Sequence, residues 1–432
     1  MKKQVNKYMK GVIIMKIIFL ILAVMALIAP ACFTQEDIAA KLTLAAIDAR
    51  IAEIRMGDII VKTAPGAEVK VQQVRHEFLF GTAVANQVVE GTPGAMSPED
   101  RKMYLKVLSE NFNYAVHENA LKWYDCERRY NVVDYSVADK IWEICHELNI
   151  PMRGHCIFWA KDKYIMPWLS ELNNDELRGK VISRAIDVTR HFKGRIEEFD
   201  LNNEMINGDF FRRRLGYGVI NEMAFAAKAG NPDIRLCVND YGVLVDRNYN
   251  ADSYIMQIKN LLANGVPIGG IGCQAHTITS DAADSTGMAT TTPERFQSTL
   301  DKLAQFNLPI KITECLFTGD NEQSIAEELR TYFPICFAHP SVEAIVMWGF
   351  WEGCHWQPHT AMWKQDWTPT PQALAYRDLV FNKWWTQTSG KADSDGTFKT
   401  SAFYGDYIIN SNGQTKKVTL SKKDKSIQVS FE

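Results

Sequence analysis

The chain has 432 residues, 46% of them hydrophobic and 23% charged, which is the composition of a globular protein large enough for one big domain or two ordinary ones. A net charge of −3 offers no basic face to a phosphate backbone, so no nucleic-acid partner is expected. Nine cysteines occur without a single C-x-x-C pair, which argues against a zinc or dithiol redox site.

Residues 1–31 read as a signal peptide. Lys2, Lys3, Lys7 and Lys10 precede an apolar run over 17–28, followed by Ala29-Pro30-Ala31-Cys32. A basic start, a short apolar stretch and a small-residue end make a secretory signal, and the run is short for a membrane span. Met15 is an alternative start. "LIAPAC" loosely resembles a bacterial lipoprotein box, with Pro30 against the match, so a membrane partner enters only if Cys32 is lipidated. Export permits disulfides, but Cys156, Cys237, Cys273 and Cys315 sit in apolar, strand-like runs, and mostly unpaired thiols are expected. Residues 32–77 predict a helix over 37–55 and then a β-hairpin around Pro65-Gly66.

From Phe78 the chain alternates regularly. Short apolar segments begin at Phe78, Tyr114, Pro151, Ile196, Ile234, Ile268, Pro309 and Val342. Stretches of helical periodicity, such as 134–148, 175–192, 293–306 and 322–337, lie between them. Eight strand–helix units over 78–388 predict an α/β fold of the (β/α)8 TIM-barrel type. The open doubly wound alternative lacks a Gly-rich phosphate loop after the first strand. Residues 389–432 predict a loop over 389–401 and then a small β extension with an Asn412-Gly413 turn, too short to be an independent module and expected to pack with the N-terminal hairpin.

Chemistry-bearing residues recur at the strand ends: Glu118, His155, Glu204, Asp240, His276, Glu314 and Trp348. Barrel strands end at one mouth, so these residues should converge. Two carboxylates across such a mouth, Glu204 and Glu314, suit glycoside hydrolysis, in which one protonates the leaving oxygen and the other attacks the anomeric carbon. Asn203 suits a donor to a sugar 2-hydroxyl. Strand alternation sends Asn203 and Glu204 to opposite faces, so the strand must end or bulge there if both meet one sugar. Asp200 and Asn202 share the face of Glu204 and read as its support. Eleven tryptophans, seven of them from Trp348 onward, suit a sugar cleft, with core filling the plainer reading for any one of them.

The segments "FDLNNE" (199–204), "ITE" (312–314), "HENALKW" (117–123), "RGHCIFW" (153–159), "VNDY" (238–241), "GIGCQAH" (270–276) and "MWGFWEGCHW" (347–356) resemble, in order, the motifs of glycoside hydrolase family 10, the retaining endo-β-1,4-xylanases, in its plant-like branch with bacterial members. The resemblance covers roughly 78–385. It implies Glu204 as general acid/base and Glu314 as nucleophile, with Asn203 on the 2-hydroxyl of the reacting sugar. It assigns Glu118, Asn119 and Lys122 to sugars on the non-reducing side, His155 and Trp159 to the reacting subsite, Gln274 and His276 to the surroundings of the nucleophile, and Trp348 and Trp356 to aromatic platforms. It implies xylan or xylo-oligosaccharides as substrate and no metal or organic cofactor; a monomer is expected. Two other readings stay open: a catalytically weak xylan-binding barrel, and a hydrolase of β-1,4-glucan or mixed-linkage glucan. Asp125, Glu127 and Trp168 read as structural. The match weakens at three positions. Leu316 stands where the family carries an Asp that pairs with the histidine on the nucleophile, which predicts a shifted pH optimum or a lower rate. Phe199 replaces a Trp, and Ala160 replaces a frequent polar residue.

Overall fold

The structure, a computed structural model, describes residues 35–245, 250–278 and 291–432. Residues 1–31, read above as a signal peptide, and Cys32 lie outside the described residues. Residues 1–41 and 42–432 form separate units, and of the first only the helix Gln35–Lys41 is described. The single helix expected over 37–55 is therefore two. The second, Leu44–Arg55, starts afresh at Thr43, whose hydroxyl accepts from the Ala46 amide; such a side-chain cap favours a helix start over helix continuation.

The chain contributes β1 (Met56–Lys62) and β2 (Glu68–His76), then β3 (Leu79–Val84), β4 (Tyr114–His117), β5 (Met152–Arg153), β6 (Phe158–Trp159), β7 (Glu198–Asn203), β8 (Arg235–Asp240), β9 (Ile268–Ile278), β10 (Ile310–Phe317) and β11 (Val342–Met347). Strands β3 to β11 form one parallel sheet in the order β5-β4-β3-β11-β10-β9-β8-β7-β6. Its two edges, β5 and β6, are halves of one interrupted strand. β5 pairs with β4 and β6 with β7. Between them the Gly154 amide donates to Glu198 O at 2.8 Å, and the Gly154 carbonyl accepts from the Asp200 amide at 3.1 Å. Counted as one strand, the pair closes an eight-stranded barrel, as the alternation predicts. Gly154 is required at the closure because a Cβ there would meet the Phe199 ring at 2.2 Å.

Outward side chains such as Phe199, Leu236, Ile312 and Ile345 pack against the surrounding helices in one continuous apolar core. The helices start where the sequence caps them: Asn173 and Glu176 form a reciprocal box before Asn174–His191, and Ser97 and Thr370 cap two others. The barrel interior is divided. Tyr114, Val116, Ala344, Val346 and Trp348 make a separate apolar cluster, whereas Arg153, Glu198, Asp200 and Lys311 are buried charges that satisfy one another. Glu198 takes Arg153 Nε at 3.2 Å and Lys311 Nζ at 2.5 Å. Burying such ions unpaired would cost several kcal/mol each, ~3–5 for a broken pair.

The expected N-terminal hairpin does not form. β1 pairs with β13 (Thr397–Phe403) and β16 (Ser426–Ser430), while β2 pairs with β12 (Gln387–Lys391) and β14 (Gly405–Ser411), the last extended by β15 (Gln414–Leu420). Both chain regions thus build one sandwich of a three-stranded and a four-stranded sheet. Ile59 and Val61 face Val69, Val71, Tyr407 and Ile409 in a common core. A two-stranded hairpin would leave one apolar face open, and sending its strands to opposing sheets buries both. The stretch 389–401, expected as a loop, supplies parts of β12 and β13. The Asn412-Gly413 turn joins β14 to β15 with φ of 51° and 75°, as predicted. Among the described residues the sandwich exposes one large hydrophobic side chain, Val74, and no aromatic platform for a sugar. The eight described cysteines are all unpaired.

Candidate active site

All twelve residues singled out from the sequence line one cleft of about 420 Å³ at the C-terminal ends of the strands. Of the strand-end residues, Asp240 alone turns away: it is fully buried and accepts from the Ile206 and Tyr241 amides at 2.8 and 3.0 Å. Burial pushes its carboxyl up to about 8, against the pull of the Ile206 amide and with the help of nearby Glu204. Its role here is to hold the segment that follows Glu204.

β7 is buried along its whole length and stops at Asn203. Glu204 has a φ of 56°, the left-handed region, and the pairing of β7 with β8 slips between Asp200 and Asn203. The strand therefore both bulges and ends, which releases Asn203 and Glu204 from strict alternation. Asn203 Oδ1 accepts from Asn239 Nδ2 at 3.0 Å and from Gln274 Nε2 at 3.2 Å, which leaves its amide nitrogen as the donor for a hydroxyl. Glu204 Oε1 accepts from Gln274 Nε2 at 3.3 Å, and Oε2 lies 2.5 Å from Lys161 Nζ.

Glu314 sits late in β10 and is 4% exposed. Asn239 Nδ2 donates to its Oε1 at 2.8 Å, and His276 Nε2 lies 2.9 Å from Oε2. His155 Nε2 stands 3.8 Å from Oε1. Burial works to raise this carboxyl, but His155, the hydrogen bond and charge of His276, and Lys122 outweigh it and bring the group down to about 2. Glu314 is thus held as a carboxylate. Asp200, expected to support Glu204, instead serves the other glutamate. It receives Arg153, and its Oδ2 lies 2.8 Å from His155 Nδ1, which orients the imidazole toward Glu314. Asn202 is fully buried and its side-chain amide makes no hydrogen bond to Glu204.

On the other wall, Lys122 Nζ donates to Asn119 Oδ1 at 3.0 Å and stands 4.7 Å from the Trp159 ring centre and 5.7 Å from that of Trp348. Burial raises the Glu118 carboxyl, with Lys122 and Asn119 opposing. Trp356 is half exposed and meets His276 edge-on at 5.4 Å. The other late tryptophans are not in the cleft; Trp351, Trp363 and Trp384 are buried in the core, the plainer reading. Asp125, Glu127 and Trp168 lie off the cleft and bind Asn86, Trp123 and the Glu127 carbonyl. Leu316 and Ala160 are both buried at 2% exposure, and the Ala160 carbonyl accepts from the Phe210 amide.

Residue patterns alone missed several neighbours. Asn239 joins Glu314 to Asn203 and is itself held by Thr313 Oγ1 at 2.6 Å. Tyr241 carries Lys161 Nζ 4.4 Å from its ring centre, and Tyr164 stacks on Trp159 at 3.6 Å. "VNDY" had marked the stretch, but nothing in its spacing says which of its polar residues faces the sugar. Among the described residues no group of His, Cys, Asp and Glu is placed to hold a metal ion.

The family model for glycosyl hydrolase family 10 matches residues 71–380. A protein named anti-sigma-I factor RsgI6, from Acetivibrio thermocellus, is 34% identical over 83% of this chain and 44% of its own length. Endo-1,4-beta-xylanase 1 of Arabidopsis thaliana is 31% identical over 87% of this chain and 39% of its own. The chain therefore spans less than half the length of these relatives. Among solved structures, native xylanase 10B from Thermotoga maritima aligns with a TM-score of 0.62 at 26% identity, covering 71% of this chain and 96% of that one. Xylanase 10B from Thermotoga petrophila RKU-1, in complex with xylobiose, aligns with the same TM-score at 25% identity over 71% and 95%. A match that runs through the whole barrel and all of its strand-end motifs leaves one assignment: the chain belongs to glycosyl hydrolase family 10.

Proposed function

We propose that the protein is a retaining endo-β-1,4-xylanase. The observation that carries this reading is the unequal setting of two glutamates in one cleft. Glu314 is kept ionised by donors on both oxygens, as a nucleophile requires. Glu204 stands at the bulged end of β7 beside an amide that can take the 2-hydroxyl. In the first step Glu314 attacks the anomeric carbon while Glu204 delivers a proton to the departing oxygen. In the second, Glu204 takes a proton from water, and the resulting hydroxide displaces Glu314. Asn239, His276 and His155 hold the carboxylate in place for the attack, and Trp348 and Trp356 offer apolar faces to sugar rings.

Xylan as substrate is supported by relatives named endo-1,4-beta-xylanase in Arabidopsis thaliana and Thermotoga neapolitana and by the xylobiose complex of the Thermotoga petrophila enzyme. Release of reducing ends from xylan, cellulose and mixed-linkage glucan, with Glu314→Gln as control, tests it. Release from xylan that disappears in the variant is the expected result. Faster release from either glucan overturns the substrate, and binding to xylan without release overturns the activity. Export belongs to the same proposal, supported by the basic, apolar and small-residue order of 1–32. The mass of the mature N-terminus decides between an unmodified Cys32 and a lipidated one as the first residue.

A further inference from the structure

A second cavity, of about 480 Å³, adjoins the segment that follows Glu204. Met205 and Ile206 form one wall. The helices Val219–Gly230 and Asn250–Ala263 form the others, contributing Asn221, Gln257 and Asn260. Its lining contains no carboxylate, and its one charge is Arg212. At its rim Tyr217 is 82% exposed, and the Arg212 guanidinium stands 5.6 Å from its ring centre. Arg212 Nη2 donates to the carbonyls of Met205 at 2.5 Å and Gly208 at 3.2 Å. Two polar atoms of this wall are buried without a protein partner, the donor Arg212 Nε and the acceptor Gln257 Oε1.

These features define what the cavity can hold. Neutral amides recognise hydroxyls and not an ion, and an exposed aromatic ring backed by a cation is a ready face for the C–H surface of a pyranose. The volume lies in the small-ligand range of ~300–1,000 Å³. We infer that this cavity is a second carbohydrate site, separate from the catalytic cleft, that takes a short neutral segment of a β-1,4-linked pyranose chain. The inference rests on the proposed xylanase activity. Arg212 ties the site to the Met205 carbonyl, one residue beyond Glu204, so a polymer held here is anchored beside the reacting bond.

Titration calorimetry with xylotriose on the Glu314→Gln protein, which cannot turn it over, tests the site. Two binding events are expected. Tyr217→Ala in that background should remove one of them, and Tyr217→Phe, which keeps the ring, should retain it. In the active protein, Tyr217→Ala should lower the ratio of the rate on insoluble xylan to the rate on xylotriose about fivefold, equivalent to about 1 kcal/mol. A single event in the parent, two events that survive Tyr217→Ala, or an unchanged ratio overturns the site while leaving the xylanase reading intact. Neither binding nor turnover of any xylan substrate overturns both.

Discussion

Glu314 and Glu198 occupy the two ends of the barrel interior, and by burial they are alike, each 4% exposed. Both carboxyls resist the upward push of burial. Lys311 and Arg153 lower Glu198; His155, His276 and Lys122 lower Glu314. Their surroundings differ in kind. Glu198 is gripped by Arg153, Lys311 and, at 3.4 Å, Arg235, and it is not among the residues that line the cleft. Glu314 is held by an amide and an imidazole and opens onto the cleft. A displaced pKa is therefore no mark of chemistry by itself. What separates the carboxylate proposed as nucleophile from the structural one is access, together with partners that restrain it without consuming it as an ion pair.

Four substitutions test that contrast, the largest effect first. Glu314→Gln should reduce xylan turnover by ~10⁴-fold or more with the fold intact, as loss of a covalent nucleophile does; circular dichroism and reducing-sugar release measure the two sides. Glu198→Gln leaves Arg153 to Asp200 and Lys311 to Glu343, one buried negative charge short, and should cost about 3 kcal/mol of stability, read from denaturant unfolding, while the folded fraction keeps its turnover number. Lost turnover at unchanged stability would erase the distinction. Trp356→Ala removes a half-exposed platform and should raise KM ~10-fold, about 1.4 kcal/mol of binding, with a smaller change in kcat; a fall in kcat alone would place Trp356 outside ground-state binding. His276→Gln removes charge and a hydrogen bond that depress the Glu314 carboxyl. A carboxylate must be ionised to attack, so the acidic limb of kcat/KM should move to higher pH, by about one unit for ~1.4 kcal/mol. A limb that stays or moves down shows that His276 does not hold Glu314.

The barrel and its site were unusually legible because each unit repeats the same local pattern, an apolar strand that ends in one or two polar residues. Glu118, His155, Glu204, His276 and Glu314 could be placed by that rule alone, and Asp240, which obeys it and yet points under the loop, shows its limit. Asn203 and Glu204 were read as needing a broken strand, and the left-handed Glu204 and the slipped register supply it. Lys161 escaped notice because its position carries no pattern of its own, and Asn239 because "VNDY" marks the stretch without singling out the residue; each matters through a partner 43 or 75 residues away.

The sequence by itself determined the beat of strands and helices, the helix starts, the Asn412-Gly413 turn and the residues at each strand end. All of these follow from periodicity, capping and turn chemistry, which act over a few neighbouring residues. Only the tertiary structure decided that β1 and β2 part company to meet the C-terminal strands. It also decided that Gly154 closes the barrel between two half-strands, that Asp200 steadies Glu314 through His155, and that most of the late tryptophans fill the core. Those outcomes depend on which distant surface remains to be buried and which charge remains to be paired once the barrel has closed, and no local stretch of chain carries that information.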